Sequence, residues 1–368
     1  MIKMLVRIKK MVAKEFIQVF RDRRMKAIIF LTPIIQLLLF GYAVTTDVTN
    51  VKTAFLDLDR TVETRELARR IESSGYFDIS RTPGSPGEIR GLLDGGEVLV
   101  AVQVNRGFSR DLKSGSTAGV QVIVDGTDSN TATVAMDYLT RIIGSYAAEL
   151  EGAIPAVDLR TRAWYNPDLR SRNYNIPGVI AIIIMLTSLL LTSMAVVRER
   201  EIGTMEQLMV TPLKPVELIL GKTLPFAAIG FFDMFLVTAL ALFWFGVPIK
   251  GSLVLLSVAT AVYLISVLGV GLFISTISRT QQQALMATFL FFLPAVLLSG
   301  FMFPIENMPL AVQYGTYLNP LRYFLVIIRG IFLKGVGPGV LWPQMACMLA
   351  LGVFVLAVSS MRFSKRLE

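Results

Sequence analysis

The residues with most chemistry to offer stand in one short run. Arg198, Glu199, Arg200 and Glu201 are followed by Gly203, Thr204 and Glu206, then by Thr211, Pro212, Glu217 and the pair Gly221-Lys222. Acids and bases alternating this densely form a surface that another charged surface can read. Complementary charge sets register there without a large apolar patch. The plainer reading is a solvated loop whose charges only obey topology. Elsewhere reactive groups are scarce. Histidine is absent and Cys347 is the lone cysteine. That excludes histidine acid–base catalysis, Ser-His triads, His-rich metal centres and a disulfide framework, so no catalytic residue and no metal site is expected. Leu220-Gly221-Lys222-Thr223 superficially suggests a phosphate loop. That motif needs glycine where Val216 stands and a strand before it, so no nucleotide site is expected in the chain.

These residues must be held by apolar elements. Of 368 residues, 54% are hydrophobic, and mean hydropathy is +0.61. The excess is gathered into runs rather than spread as in a soluble domain. The expected fold is an α-helical polytopic membrane protein with six transmembrane helices plus an α/β extracytoplasmic domain. The spans are read at 27–46, 178–197, 223–246, 252–275, 284–303 and 340–361, with 198–222 as the connector between the second and third. Pro33, Pro225 and Pro294 blur their edges, and membrane helices tolerate proline where neighbours satisfy the freed backbone.

The net charge of +9 does not point to nucleic acid, because the bases are gathered at the ends. Residues 1–26 carry nine lysines and arginines against Glu15 and Asp22 alone, and the tail 362–368 adds Arg362, Lys365 and Arg366. Both termini are therefore expected in the cytoplasm, in agreement with an even number of spans. The first 26 residues place Leu5, Ile8, Val12, Phe16 and Val19 at helical spacing among bases, the pattern of an amphipathic helix on anionic lipid. The N-terminus reads as an uncleaved anchor rather than a signal peptide.

Residues 47–177 form the soluble insertion. Strands are expected at 51–58, 98–104 and 120–124, helices at 63–73, 86–93 and 130–150 with Asn130 as cap, and a last strand at 159–164. The segment 304–339, from Pro304, is read as a re-entrant hairpin of two short helices, 307–314 and 320–332, with Asn319 as cap and Pro320 in the first turn. A plain amphipathic surface loop is the alternative. Arg322 and Arg329 are expected to snorkel to headgroups. Gly269 and Gly271 suit close helix packing. Asp233 falls inside the third span, where an acid usually faces a bundle interior or a wet path. It is either a substrate- or cation-facing group, or a structural hydrogen-bonding residue. Phe289, Phe291, Phe292, Phe301 and Phe303 are candidates for an apolar substrate path, or lipid-facing and packed rings.

Several of these motifs together resemble one family. Arg198-Glu199-Arg200-Glu201-x-Gly-Thr-x-Glu206, Thr211-Pro212-Leu213 and Gly221-Lys222 look like the hallmark of type-2 ATP-binding-cassette (ABC) exporter permeases. The likeness continues through Lys14-Glu15-Phe16, Arg21-Asp22-Arg23-Arg24, Trp164-Tyr165-Asn166-Pro167, Arg279-Thr280-Gln281-Gln282-Gln283, the run Ser299 to Pro309, and Asn319-Pro320-Leu321-Arg322-Tyr323. The large insertion resembles multidrug-type permeases that work with a periplasmic adaptor. The resemblance implies a transport subunit of the bacterial inner membrane, exporting a lipophilic or amphiphilic substrate. It implies two copies of a separate ATPase carrying ATP and magnesium, and a second permease chain, identical or paralogous. Residues 198–222 would be its coupling helix, with Arg198, Glu199, Arg200, Glu201, Gly203, Thr204, Glu206, Thr211, Pro212 and Glu217 contacting or shaping the joint. A membrane-anchored receptor or scaffold, binding through 47–177, is the alternative from another class. An intramembrane enzyme is disfavoured by the lack of paired carboxylates.

Overall fold

The computed structural model describes residues 2–43, 50–127, 129–150, 165–166, 170–204 and 215–364. They form two compact units, Met1–Thr45 with Ala163–Glu368, and Thr46–Arg162. The chain opens with α1 (Ile2–Arg21), the short α2 (Arg23–Lys26), a π-helical turn at Ala27–Leu31, and α3 (Thr32–Ala43).

The inserted unit runs β1 (Val51–Asp57), α4 (Val62–Ser73), β2 (Phe77–Arg81), α5 (Pro86–Asp94), β3 (Val100–Val104), α6 (Phe108–Lys113), β4 (Val120–Val124) and α7 (Ser129–Leu150). Its sheet has the order β2-β1-β3-β4. β1 is parallel to both neighbours and β4 is antiparallel to β3. Val100, Val102 and Val104 join a core with Leu67 and Ile71 of α4 and Ala135 and Leu139 of α7. Ala101 faces the opposite core with Ala54, Leu56 and Ile89. With helices over both faces, β3 is apolar at Val100, Ala101, Val102 and Val104, with only Gln103 polar, instead of alternating. α4 starts where Thr61 and Thr64 cap each other reciprocally, each hydroxyl accepting the other's backbone N–H. Two elements were not anticipated, β2 and α6. β2 is an edge strand of five residues; Phe77-Asp78-Ile79-Ser80 does alternate, but over too short a run to stand out from its surroundings. Asn130 is not the cap expected of it, since α7 already includes Ser129. The strand expected at 159–164 lies outside the described residues.

The remaining helices are α8 (Ser171–Glu201), α9 (Pro215–Phe243), α10 (Leu253–Ile277), α11 (Gln281–Leu297), α12 (Leu310–Thr316), α13 (Pro320–Arg329) and α14 (Pro338–Ser364). Among the described residues four helices, α8, α9, α10 and α14, are long and apolar enough to cross a membrane. Ala27–Ala43 and Gln281–Leu297, expected as full spans, are shorter apolar helices. At 17 residues, α11 is about 25 Å long against a hydrocarbon core of about 30 Å. α8 is the axis of its unit. Every residue from Ile176 to Leu189 is buried, which is why its sequence carries no polar stripe. Ser171–Pro177, read from the sequence as part of the insertion, forms the first turns of this helix.

Small residues let the other helices close on one another. A Cβ at Gly269 would stand 3.1 Å from Leu356 of α14, and one at Gly271 would stand 2.8 Å from Thr192 of α8. Ser359 donates to the Gly269 carbonyl at 3.0 Å and Ser266 to the Met348 carbonyl at 2.9 Å. In the segment 304–339, Asn319 accepts from the Leu321 N–H at 3.1 Å, capping α13, and its amide donates to the Ala295 carbonyl at 2.6 Å. Arg322 and Arg329 do not extend freely as expected. Arg322 lies over the Tyr317 ring at 4.0 Å and donates to the Thr316 hydroxyl. Arg329 lies over the Tyr174 ring at 3.8 Å and reaches the Gly300 carbonyl at 3.3 Å.

Candidate functional site

The charged run of the sequence condenses into a junction of five helix ends around the connector 205–214. α8 stops first. The Gly203 N–H bonds to the Arg200 carbonyl at 3.1 Å and the Thr204 N–H to the Glu199 carbonyl at 3.0 Å. Gly203 takes the left-handed φ of +76°. This is a Schellman stop, which glycine enters without the steric penalty of a side chain. Gly203 and Thr204 therefore end the helix before them.

Glu199 and Lys222 form the centre. Lys222 is 1% exposed, Glu199 2% and Glu15 4%. The Lys222 ammonium donates to the Ala195 carbonyl at 3.0 Å and stands 3.2 Å from Glu15 Oε1 and 3.4 Å from Glu199 Oε1. Lys14 Nζ reaches the same Glu199 oxygen at 2.6 Å. The other Glu199 oxygen accepts the Thr204 hydroxyl. Lys222 and the two carboxylates lie in a nearly dry pocket, and Lys14, its side chain 43% exposed, balances the second carboxylate from the solvent side. Around this centre Arg7 meets Glu217 at 3.5 Å and Arg198 meets Asp22 at 3.2 Å. Met11 packs so closely on Gly221 that a Cβ there would stand 2.5 Å from Met11 Cγ. Met11, Val196, Leu218, Ile219 and Leu272 fill the space beneath.

On the opposite flank Arg200 donates to the Thr276 and Ser278 carbonyls at 3.3 and 3.1 Å, closing the open end of α10. Glu201 accepts the Gln281 N–H at 2.9 Å and its side-chain amide, holding the first turn of α11. The Ser275 hydroxyl accepts from the Val196 N–H at 3.1 Å. α1, α8, α9, α10 and α11 are therefore pinned together by the residues bordering the connector.

The structure brings Arg198, Glu199, Arg200, Glu201, Gly203, Thr204 and Glu217 to this junction. Glu206, Thr211 and Pro212 lie outside the described residues. Lys14, Asp22 and Arg7 were not singled out as site residues, nor was Lys222. A signal existed: Glu15 and Asp22 are the only acids in a strongly basic stretch, and both are paired across the fold. The substrate-path candidates do not share one face. Phe292 is buried, with Phe289 edge-on to it at 6.4 Å. Phe303 is exposed, and Phe301 packs on Gly178, where a Cβ would meet its ring at 2.6 Å. α11 ends at Leu297, so Phe301 and Phe303 lie beyond it rather than within a span. Asp233 is sealed inside the bundle.

The family follows from comparison with known proteins. Residues 23–361 match the profile of the ABC-2 family of transporter proteins. The chain belongs to that family. It is 36% identical over 344 residues, 93% of this chain and 94% of the relative, to the probable multidrug ABC transporter permease YbhR of Escherichia coli K12. It is 33% identical to the probable multidrug ABC transporter permease YbhS of the same organism, over 98% of both chains. The inner membrane transport permease YhhJ is 31% identical over 85% of this chain and 84% of its own length. This ABC-2 chain is a permease subunit, a transport component rather than a catalyst, which sets aside the anchored receptor and the intramembrane enzyme.

Proposed function

We propose that this ABC-2 permease is the membrane half of an exporter driven by ATP on a separate ATPase chain. Its six apolar helices all cross the bacterial inner membrane, both termini lie in the cytoplasm, and the α/β unit stands on the far side. Two copies, or this chain and a paralogue, enclose the path. ATP and magnesium belong to the partner ATPases, and a periplasmic adaptor extends the route. The relatives named as multidrug permeases support a lipophilic or amphiphilic substrate. One observation carries the mechanical reading: the connector 205–214 is bordered on both sides by residues locked to α1, α10 and α11. A push on the connector then moves five helix ends together rather than bending one loop. Swinging a gate from 1:99 to 99:1 takes about 5.5 kcal/mol of differential binding, which docking to a nucleotide-dependent partner supplies.

The test uses the chain co-expressed with a candidate ATPase chain of the ABC type. Glu206→Lys reverses a charge on the connector without touching the described ion pairs. The expected result is normal membrane insertion with loss of ATPase association and transport. Full association and transport in this variant and in Glu201→Lys would refute the docking surface. ATP-driven transport by the chain alone in vesicles would refute the separate motor.

A further inference from the structure

Three helices meet around Gly230. A Cβ there would stand 2.6 Å from Leu264 of α10 and 3.0 Å from Ser188 Oγ of α8. One turn further along α9 is Asp233, 0% exposed and beside Thr187 of α8. One turn from Leu264 on α10, at the same level, is Thr260, also buried. The Thr187 hydroxyl is spent on the Ile183 carbonyl at 2.7 Å. Both Asp233 oxygens lack a hydrogen-bond partner among the described residues, and so do the hydroxyls of Thr260, Ser188, Thr192 and Thr238. Buried polar groups are nearly always paired. Here one seam holds several hydroxyls able to donate and a carboxylate able to accept, yet no pair closes. None of these atoms bonds another described residue, so the donors and the acceptor of this seam are left to a further species.

The chemistry selects that particle. A bare carboxylate in a dry bundle is among the most unfavourable groups a membrane helix can carry. α1, the charged helix packed on α9, meets it through Arg7, Met11 and Glu15 at Glu217, Gly221 and Lys222, about three turns from Asp233, and the other helices packed on α9 bring no charge to that level. Lys222, on the same helix, lies about 16 Å away. α8 is uncharged from Asn173 to Val197, and α10, α3 and the π-helical turn are uncharged throughout, as is α14 between Pro338 and Met361. The titratable groups on these uncharged stretches are Tyr263, whose hydroxyl donates to the Ala181 carbonyl at 3.4 Å, Tyr174, whose ring lies under Arg329 at 3.8 Å, Tyr42, which the Trp244 indole N–H reaches at 3.0 Å, and the exposed Cys347. The surrounding donors are oxygens only. A divalent ion would be left undercharged by one carboxylate, and an organic amine has no opening to a side chain with zero exposure.

We propose that Asp233, with Thr260 and Ser188, forms a buried site for one monovalent hard cation, a proton or a sodium ion. The site is a property of the helix bundle and does not depend on an ATPase partner. Because α8 and α9 both line the seam and both border the connector, any sliding between them alters the site, so occupancy and conformation are thermodynamically linked.

The test is thermal unfolding of the purified full-length chain in detergent from about pH 5 to about pH 9, in choline chloride and in sodium chloride, together with equilibrium binding of radioactive sodium. If the occupant is a proton, wild type loses several degrees of Tm relative to Asp233→Asn as pH rises in both salts. If it is sodium, sodium chloride restores that loss and the wild type, but not Asp233→Asn, binds the ion stoichiometrically. Thr260→Val keeps the shape of the seam and serves should the Asp233 variant fail to fold. It is expected to displace the pH curve or weaken sodium protection about threefold or more. Identical pH and sodium profiles in wild type and variants, with no sodium bound, overturn the site.

Discussion

Replacing Lys222 with methionine probes the junction at its most buried charge. The side chains are similar in length, so packing changes little and the lost quantity is the ammonium. In the wild type that ammonium lies 3.2 Å from Glu15 and 3.4 Å from Glu199. Each attraction is worth about 5 kcal/mol at an effective dielectric near 20. Desolvation of the three groups cancels much of that sum. What the substitution exposes is the imbalance left behind. Lys14 Nζ, 2.6 Å from Glu199 and 3.9 Å from Glu15, can compensate only one carboxylate. One buried, unpaired carboxylate implies a loss of about 3–5 kcal/mol, a fall in Tm on the order of 10 °C at about 2–4 °C per kcal/mol. Glu199→Gln alone strands Lys222 in part and is also destabilising. Combining the two removes one charge of each sign and leaves Lys14 beside Glu15, so the double variant is expected to regain at least about 2 kcal/mol relative to the sum. The assay is a double-mutant cycle by thermal unfolding of the purified chain. If the two effects add within about 0.5 kcal/mol, the ion pair does not hold the junction and the reasoning fails.

Gly221→Val drives a side chain into Met11, costing about 1–3 kcal/mol through overpacking. Met11→Ala should restore much of the loss, read as Tm or as protease resistance of α1. Asn319→Ala removes both the cap of α13 and the bond to the Ala295 carbonyl, a loss of about 1–2 kcal/mol, visible as faster hydrogen exchange in 320–329. In the inserted unit, Lys113, a backbone N–H and the Ser109 hydroxyl hold the Glu63 carboxyl at about 2. A depressed carboxyl contributes stability above its unfolded value near 4.3 that is lost as pH falls toward 2. Hydrogen exchange of α4 and α6 should rise across that window in wild type and less in Glu63→Gln. An equal rise in both removes Glu63 as a cause.

The sequence made the long elements legible and the short or paired ones obscure. The apolar runs at 178–197 and 252–275 are bounded by charges, and α8 and α10 cover both. α11 was overextended to 303 because Ser299-Gly300-Phe301-Met302-Phe303 is apolar. Hydropathy registers composition, whereas the helix stops at Leu297 and Gly300 takes a φ of +82°. The connector's charges drew attention from sequence alone, but their partners did not. Lys14 and Glu199 lie 185 positions apart, and no local pattern carries a pairing across that distance.

Charge buried at a joint is a poor adhesive, since well-packed apolar side chains of similar volume often stabilise as much or more. Its distinctive property is that it tolerates only one arrangement. A leucine cluster slides by a turn at little loss, whereas Lys222 shifted by one residue leaves one of two buried carboxylates unpaired. In this fold the pair Lys222–Glu199 joins the helix before the connector to the helix after it. The two ends of the connector are thus tied directly to each other at 3.4 Å. A loop closed at its base cannot absorb a displacement by spreading its ends. Force applied to 205–214 therefore reaches α8 and α9 as a joint movement, and α1 moves with them through Glu15, Lys14, Asp22 and Arg7. The same constraint lets α8 and α9 act as one lever in the proposed transport cycle, which two independent helices could not.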